Sequence, residues 1–131
     1  MFRLFDMLGR STAMRALDEA LRAAGLHPLL VSEPVKLTVI RLSKSPTAPE
    51  SRKRAFATSA ELLAYCVLGH EQFAQCNGSE NAEHADQRFE AALEHGDSPD
   101  AKLILLALHA GLISPEIADR IELEDPETDQ T

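Results

Sequence analysis

Four side chains in the middle of the chain are of the types that bind zinc, two cysteines and two histidines. Cys66 and His70 are four residues apart, a spacing that places two ligands on one face of a helix. With Cys76 and His84 the full pattern is C-x3-H-x5-C-x7-H, which matches no common zinc motif. Both cysteines also fall on an apolar stripe, where cysteine acts as a small hydrophobic residue. The sequence therefore predicts two core cysteines and no metal or cofactor, with Cys66 and His70 as weak metal-ligand candidates.

The same cysteine and histidine could instead act as a nucleophile and its base. A thiol in a helix interior, however, lacks both an oxyanion hole and the helix N-terminus that would lower its pKa. The sequence also contains no phosphate-binding glycine loop, no paired-histidine protease motif and no G-x-S-x-G elbow. No Glu is followed three residues later by His, as carboxylate-bridged metal bundles require. These observations predict a protein that is not an enzyme.

Helices are the elements that would position these residues, and the C-terminal half of the chain marks their ends. Thr58 and Glu61 have the spacing of a capping box, and Ser79 could cap the next helix. Ser98 and Ser114 each precede a proline, which suits the first position of a helix. The predicted helices are about 58–76, 79–95, 98–110 and 114–123, packed around the third because it is apolar nearly all round.

The N-terminal part of the chain is less clearly marked. Ser11 caps a predicted helix over residues 11–24. Residues 32–42 alternate like a strand, but they begin like a helix and have no second strand to pair with, so a helix is favoured. We therefore predict an all-α fold, a small bundle of about five to six helices, with helix or strand left open for 32–42.

Charge divides the chain into two parts of opposite sign. Residues 1–54 contain ten Lys or Arg against five acids, a net charge of +5, and residues 55–131 contain three against sixteen, a net charge of −13, giving −8 in total. The sign changes just after a proline-containing stretch without apolar runs. The predicted organisation is a basic helical segment 1–42, a linker or loop 43–53, an acidic helical bundle 54–123 and a disordered acidic tail 124–131.

Charge asymmetry of this kind determines which partners each part of the surface can approach. Helix stability accounts for many acids of the bundle, which lie in the first turns of helices or on solvated faces. It accounts for fewer of the basic residues. Large apolar residues near the N-terminus could dock on another protein. The predicted interaction residues are Phe2, Phe5, Leu8, Arg41, Lys44, Arg52, Lys53 and Arg54.

A nucleic-acid-binding regulator is the alternative interpretation. It would use the basic half or the segment 103–121, whose turn at Gly111 resembles a helix-turn-helix corner. The second helix of that corner carries three acids against Arg120, which would repel phosphates. Nucleic acid is therefore possible as a partner but not favoured.

Two cysteines are too few for a disulfide framework, which favours a cytoplasmic protein. The N-terminus does not have the pattern of a signal peptide. The longest aliphatic run, 103–108, is far too short to span a membrane. The sequence therefore predicts a cytoplasmic interaction module, an adaptor, regulator or assembly factor, that binds another protein or a second copy of itself.

Overall fold

The computed structural model describes the backbone of residues 2–43 and 49–124, and the side chains of residues 12–43 and 50–121. This part of the chain forms α-helices, one short 3₁₀ helix at Pro28–Leu30 and no strand. The all-α prediction is confirmed, and the segment 32–42 is helical. The helices are α1 (Phe2–Ala23), α2 (Glu33–Leu42), α3 (Pro49–Asn77), α4 (Ser79–Glu94), α5 (Pro99–His109) and α6 (Pro115–Glu124).

The central element is α3, which packs against α1, α4, α5 and α6. Its five consecutive residues 62–66 are all at most 1% exposed, so this stretch is covered on every side. The prediction that the helix near 98–110 occupies the centre is wrong. Helix α5 buries Ile104 and Ala107 but leaves Leu105 49% exposed.

Helix α3 is interrupted at Gly69, whose φ of 84° and ψ of 167° are not helical. The Cys66 carbonyl, which would accept from His70 in an unbroken helix, accepts the Ser114 N–H at 2.9 Å. The segment leading into α6 therefore docks on the break. The prediction of one regular helix over 58–76 missed this break, although Gly69 marks it in the sequence.

Two of the predicted helix starts lie inside longer helices. Ser11 is within α1, and the capping box at Thr58 is not formed because α3 begins at Pro49. The Thr58 hydroxyl instead donates to the Arg54 carbonyl one turn earlier, at 2.9 Å. A hydroxyl in a helix interior satisfies itself in this way, which the local sequence pattern cannot distinguish from a cap.

Of the other three predicted caps, two form and one does not. Ser98 accepts the Ala101 N–H at 3.1 Å and caps α5. Ser114 lies before α6 and accepts the Ile117 N–H at 3.4 Å. Ser79 does not cap α4, because Gly78 occupies the N-cap position without a side-chain hydrogen bond.

The N-terminal helices pack on the rest of the bundle. Leu17 and Leu21 of α1 are fully buried in the same core as α3, and Lys36 of α2 pairs with Asp18 at 2.8 Å. Helix α3 begins inside the stretch predicted as a linker or loop, so residues 49–53 are helical. The domain boundaries themselves stay a prediction, and the tail beyond residue 124 lies outside the described residues.

Candidate functional site

A groove of about 340 Å³ runs between α1 and the first turns of α3. We call it the α1/α3 groove. Small side chains form its floor, and charged side chains stand at its edges. The lining residues are Thr12, Ala16, Glu19, Ala20 and Ala23 from α1, and Arg52, Lys53 and Ala57 from α3.

Arg52 and Lys53 are the two predicted interaction residues that the fold brings into this groove. Lys53 is exposed, and Arg52 is partly buried with an Nε that has no hydrogen-bond partner in the part of the chain that the structure describes. Within the described residues, neither side chain forms an ion pair with an acid of its own chain. By contrast, Lys36, Arg88 and Arg120 are each held by internal carboxylates.

The remaining predicted interaction residues lie elsewhere. Arg41 is exposed on α2, and Arg54 lines a separate cavity of about 450 Å³ beside Ser43 and Ser59. The Ser43 and Ser59 hydroxyls in that cavity are hydrogen-bonded at 2.8 Å, and the Ser43 hydroxyl also donates to the Val39 carbonyl at 2.8 Å. Phe2, Phe5 and Leu8 belong to α1, but their side chains, like the whole of Lys44, lie outside the described residues.

The local sequence pattern did not indicate the floor of the groove. Ala16, Ala20 and Ala23 recur at +4 and +7, which places them on one face of α1. The spacing is visible in the sequence, but alanine is common in helices and has no functional group that would mark a binding site. The local sequence pattern also did not indicate the short 3₁₀ helix, which presents Leu29 and Leu30 at 86% and 57% exposure.

The two weak metal-ligand candidates are in different surroundings. Cys66 is buried, and burial raises the pKa of its thiol to about 12. His70 is exposed and lies beyond the break at Gly69, so the two residues do not share the face of a regular helix. No three His, Cys, Asp or Glu side chains among the described residues form a group that could hold a metal ion.

Neither cysteine forms a disulfide. The prediction that both belong to the core holds for Cys66, whereas Cys76 is exposed. The Cys76 side chain instead packs beside Gly25, where an added Cβ would meet the Cys76 Cβ at 2.7 Å. The Gly25 position therefore needs glycine both for this close approach and for its φ of +91°.

A polar network joins three helices at the side of the core. Tyr65 of α3 donates to Asp86 of α4 at 2.5 Å. From α6, Arg120 donates to the same Asp86 oxygen at 2.7 Å, to the Tyr65 hydroxyl at 2.9 Å and to Glu90. The Arg120 guanidinium also lies 4.6 Å from the centre of the Phe89 ring, close enough for a cation–π contact.

The protonation states of this network suit a structural role better than proton transfer. Burial, with the Asp86 hydrogen bond second, raises the pKa of Tyr65 and keeps the phenol neutral. Partial burial acts to raise the pKa of Asp86, but the Tyr65 and Arg120 hydrogen bonds and the Arg120 charge outweigh it, and that pKa is lowered. A permanently neutral phenol and a permanently ionised carboxylate do not exchange a proton near neutral pH.

The corner between α5 and α6 offers little to a phosphate backbone. Arg120 is the only basic residue of α6, and Asp86 and Glu90 hold it against the bundle. Ile117 of the same helix is fully buried, while Glu116 and Asp119 are exposed. The side of α6 that faces away from the bundle is therefore acidic.

Comparison with protein-family models, curated proteins and solved structures gives no match for this chain. Within the described residues, no helix has the length and apolar character required to cross a membrane. A functional conclusion must therefore come from the chemistry of the surface itself.

Proposed function

We propose that this protein is a non-enzymatic protein–protein interaction module, an adaptor, regulator or assembly factor, and that the α1/α3 groove is its contact surface. The observation that carries the proposal is an alanine floor flanked by two cations, Arg52 and Lys53, that form no ion pair within the described residues. Interfaces of this kind combine a desolvated centre with a polar rim. The free thiols of Cys66 and Cys76 support a cytoplasmic setting for this module.

The composition of the groove supports binding rather than chemistry. Its polar lining side chains are Thr12, Glu19, Arg52 and Lys53, without a histidine or cysteine to act as base or nucleophile. The polar network around Tyr65, where pKa values are shifted, shares no residue with the groove, and its donors and acceptors pair with one another. A groove without a catalytic pair fits a binding role.

Site-specific photo-crosslinking in the cell that produces the protein tests this proposal. A photoreactive amino acid with a short aliphatic diazirine side chain, much smaller than tryptophan, replaces Ala57, an exposed residue of the groove. In a matched control it replaces Ala91, an exposed residue of α4. We expect a discrete protein adduct from position 57 whose yield falls when Lys53→Glu is added. Equal adducts from both positions, or none from position 57, would contradict the proposal.

A further inference from the structure

We propose that the partner of the α1/α3 groove is an acidic amphipathic helix with large aliphatic residues along its apolar face. This inference rests on the proposed function and adds the chemistry of the partner. It is drawn from the shape of the groove, the size of its floor residues and the charges at its edges.

The shape of the groove favours a helix as the occupant. Two neighbouring helices leave a channel along their contact, and a third helix can pack its side-chain ridges into it. The floor residues Ala16, Ala20 and Ala23 follow one face of α1, and Ala57 faces them from α3. A helix lying in this channel would run beside both.

The floor also indicates the size of the side chains that enter. Alanines leave holes between the flanking ridges, and a volume of about 340 Å³ has room for several large side chains. Leu, Ile or Met at positions i, i+4 and i+7 of the partner would fill these holes and remove apolar surface from water.

The edge charges indicate the sign of the partner. Arg52 and Lys53 both line the α3 side, and within the described residues neither forms an ion pair. The Arg52 Nε is closed to solvent, so a partner carboxylate would pair with the exposed Lys53 ammonium, and the Arg52 guanidinium adds positive charge beside it. Glu19 on the α1 side could pair with one cation of the partner. On the face that meets α3, opposite Arg52 and Lys53, the partner is acidic.

Nucleic acid fits the same surface less well. Among the described residues that line the groove none is aromatic, so this part of the groove offers bases no ring to stack on. Glu19 in the groove, exposed Glu50 two residues before Arg52 and the net charge of −8 oppose a phosphate backbone and an acidic helix alike, so the alanine floor is what separates the two partners. A phosphate backbone would leave the alanine floor uncovered, whereas an amphipathic helix would cover it.

Selection from a displayed peptide library tests the inference with the full-length protein as bait. The library contains randomised helices of about 18 residues, which gives roughly five turns. We expect the enriched sequences to carry net negative charge and large aliphatic residues at i, i+4 and i+7. Enrichment of neutral or basic helices, or of no helix, would overturn the inference.

Binding of one enriched peptide, followed by fluorescence anisotropy, locates the contact. Reversing the exposed charge with Lys53→Glu should weaken binding about fivefold at low salt. The control Lys102→Glu, at an exposed position of α5, should leave binding unchanged. Ala57→Trp should abolish binding by filling the groove, and Ala91→Trp should not. Loss with either control, or retention with Lys53→Glu and Ala57→Trp, would contradict the assignment.

Two further outcomes separate this inference from the proposed function. A partner crosslinked at position 57 that is not an acidic helix would overturn the partner chemistry and leave the interaction module standing. Displacement of the enriched peptide by duplex DNA, reduced by Lys53→Glu, would overturn the inference in favour of nucleic acid.

Discussion

Tyr65 is the only tyrosine of the chain, and its contacts are of a kind that sequence patterns do not reveal. Its partners Asp86 and Arg120 are 21 and 55 residues away along the chain. In the folded state the three side chains hold α3, α4 and α6 together. Two carboxylates pair with Arg120, whose side chain is 25% exposed, so the network stabilises one arrangement of the helices.

Asp86→Asn should change the pH dependence of stability. The pKa of Asp86 is lowered on folding, so its contribution is fully present above the unfolded value of about 3.9 and is lost as the pH falls through the folded value. We expect the variant to be less stable at neutral pH. Its free energy of unfolding should also fall less steeply as the pH is lowered. Urea unfolding between about pH 2 and pH 7 measures both effects.

Asp119→Asn serves as the control, because Asp119 is an exposed carboxylate of α6. Its unfolding free energy should run parallel to that of the unmodified protein over the acid range. If Asp86→Asn also gave a parallel curve, the ionised carboxylate would not be part of the stabilising network.

At the scale of elements, the break in α3 determines where α6 docks. Gly69 and Gly78 share a backbone region that is essentially restricted to glycine, with φ of 84° and 90° and ψ of 167° and 155°. The first allows Cys66 to accept from Ser114, and the second starts α4. Both positions therefore require glycine for its backbone conformation, which a pattern of apolar residues does not reveal.

Gly69→Ala should destabilise the protein by about 1–3 kcal/mol through backbone strain. The added Cβ would also lie 3.0 Å from a Glu116 carboxylate oxygen, which is the flexible end of its side chain. Since that end can move, we expect only a small additional cost. Thermal or urea unfolding measures the loss.

Two other glycine-to-alanine variants serve as references for the loss of stability in Gly69→Ala. An added Cβ at Gly78 meets nothing within 4 Å, so Gly78→Ala carries backbone strain alone. Gly96 has neither a positive φ nor a close neighbour, and Gly96→Ala should be nearly neutral. A neutral Gly69→Ala would show that α3 can run through this position without a break.

At the scale of the molecule, the oppositely charged parts of the sequence share one core. Leu17, Leu21 and Val39 from the basic part lie in the same buried cluster as Leu63 and Phe89 from the acidic part. Asn77 also donates to the Ala24 carbonyl at 2.8 Å across this boundary. The charge asymmetry is therefore a property of the surface of one packed unit.

Unfolding should be a single cooperative transition, because both parts bury the same core. Leu21→Ala in α1 should cost about 2–4 kcal/mol. The midpoint should fall equally in far-ultraviolet circular dichroism and in the fluorescence of Tyr65, which is distant in sequence. Leu63→Ala in α3 is the reference and should shift both signals. A separate early transition that leaves the Tyr65 signal unchanged would indicate two independent units.

The sequence by itself determined the fold class and most of the core. Helix identity follows from local apolar periodicity and from glycine and proline at the ends. In α4, for example, the residues that recur at helical spacing are all buried: Ala82, Ala85, Phe89 and Ala92. Charge alone also singled out Arg52 and Lys53 as predicted interaction residues, and both line the α1/α3 groove.

Only the tertiary structure decided which helix lies at the centre, where α3 breaks and which cations remain unpaired. These properties depend on contacts between distant residues, and a helical pattern is the same whether a partner covers it or not. Arg120 and Lys53 have the same sign in the sequence, yet Asp86 and Glu90 hold the first and leave the second at the edge of a groove. The candidate surface is therefore a consequence of packing, since packing decides which charges are neutralised internally.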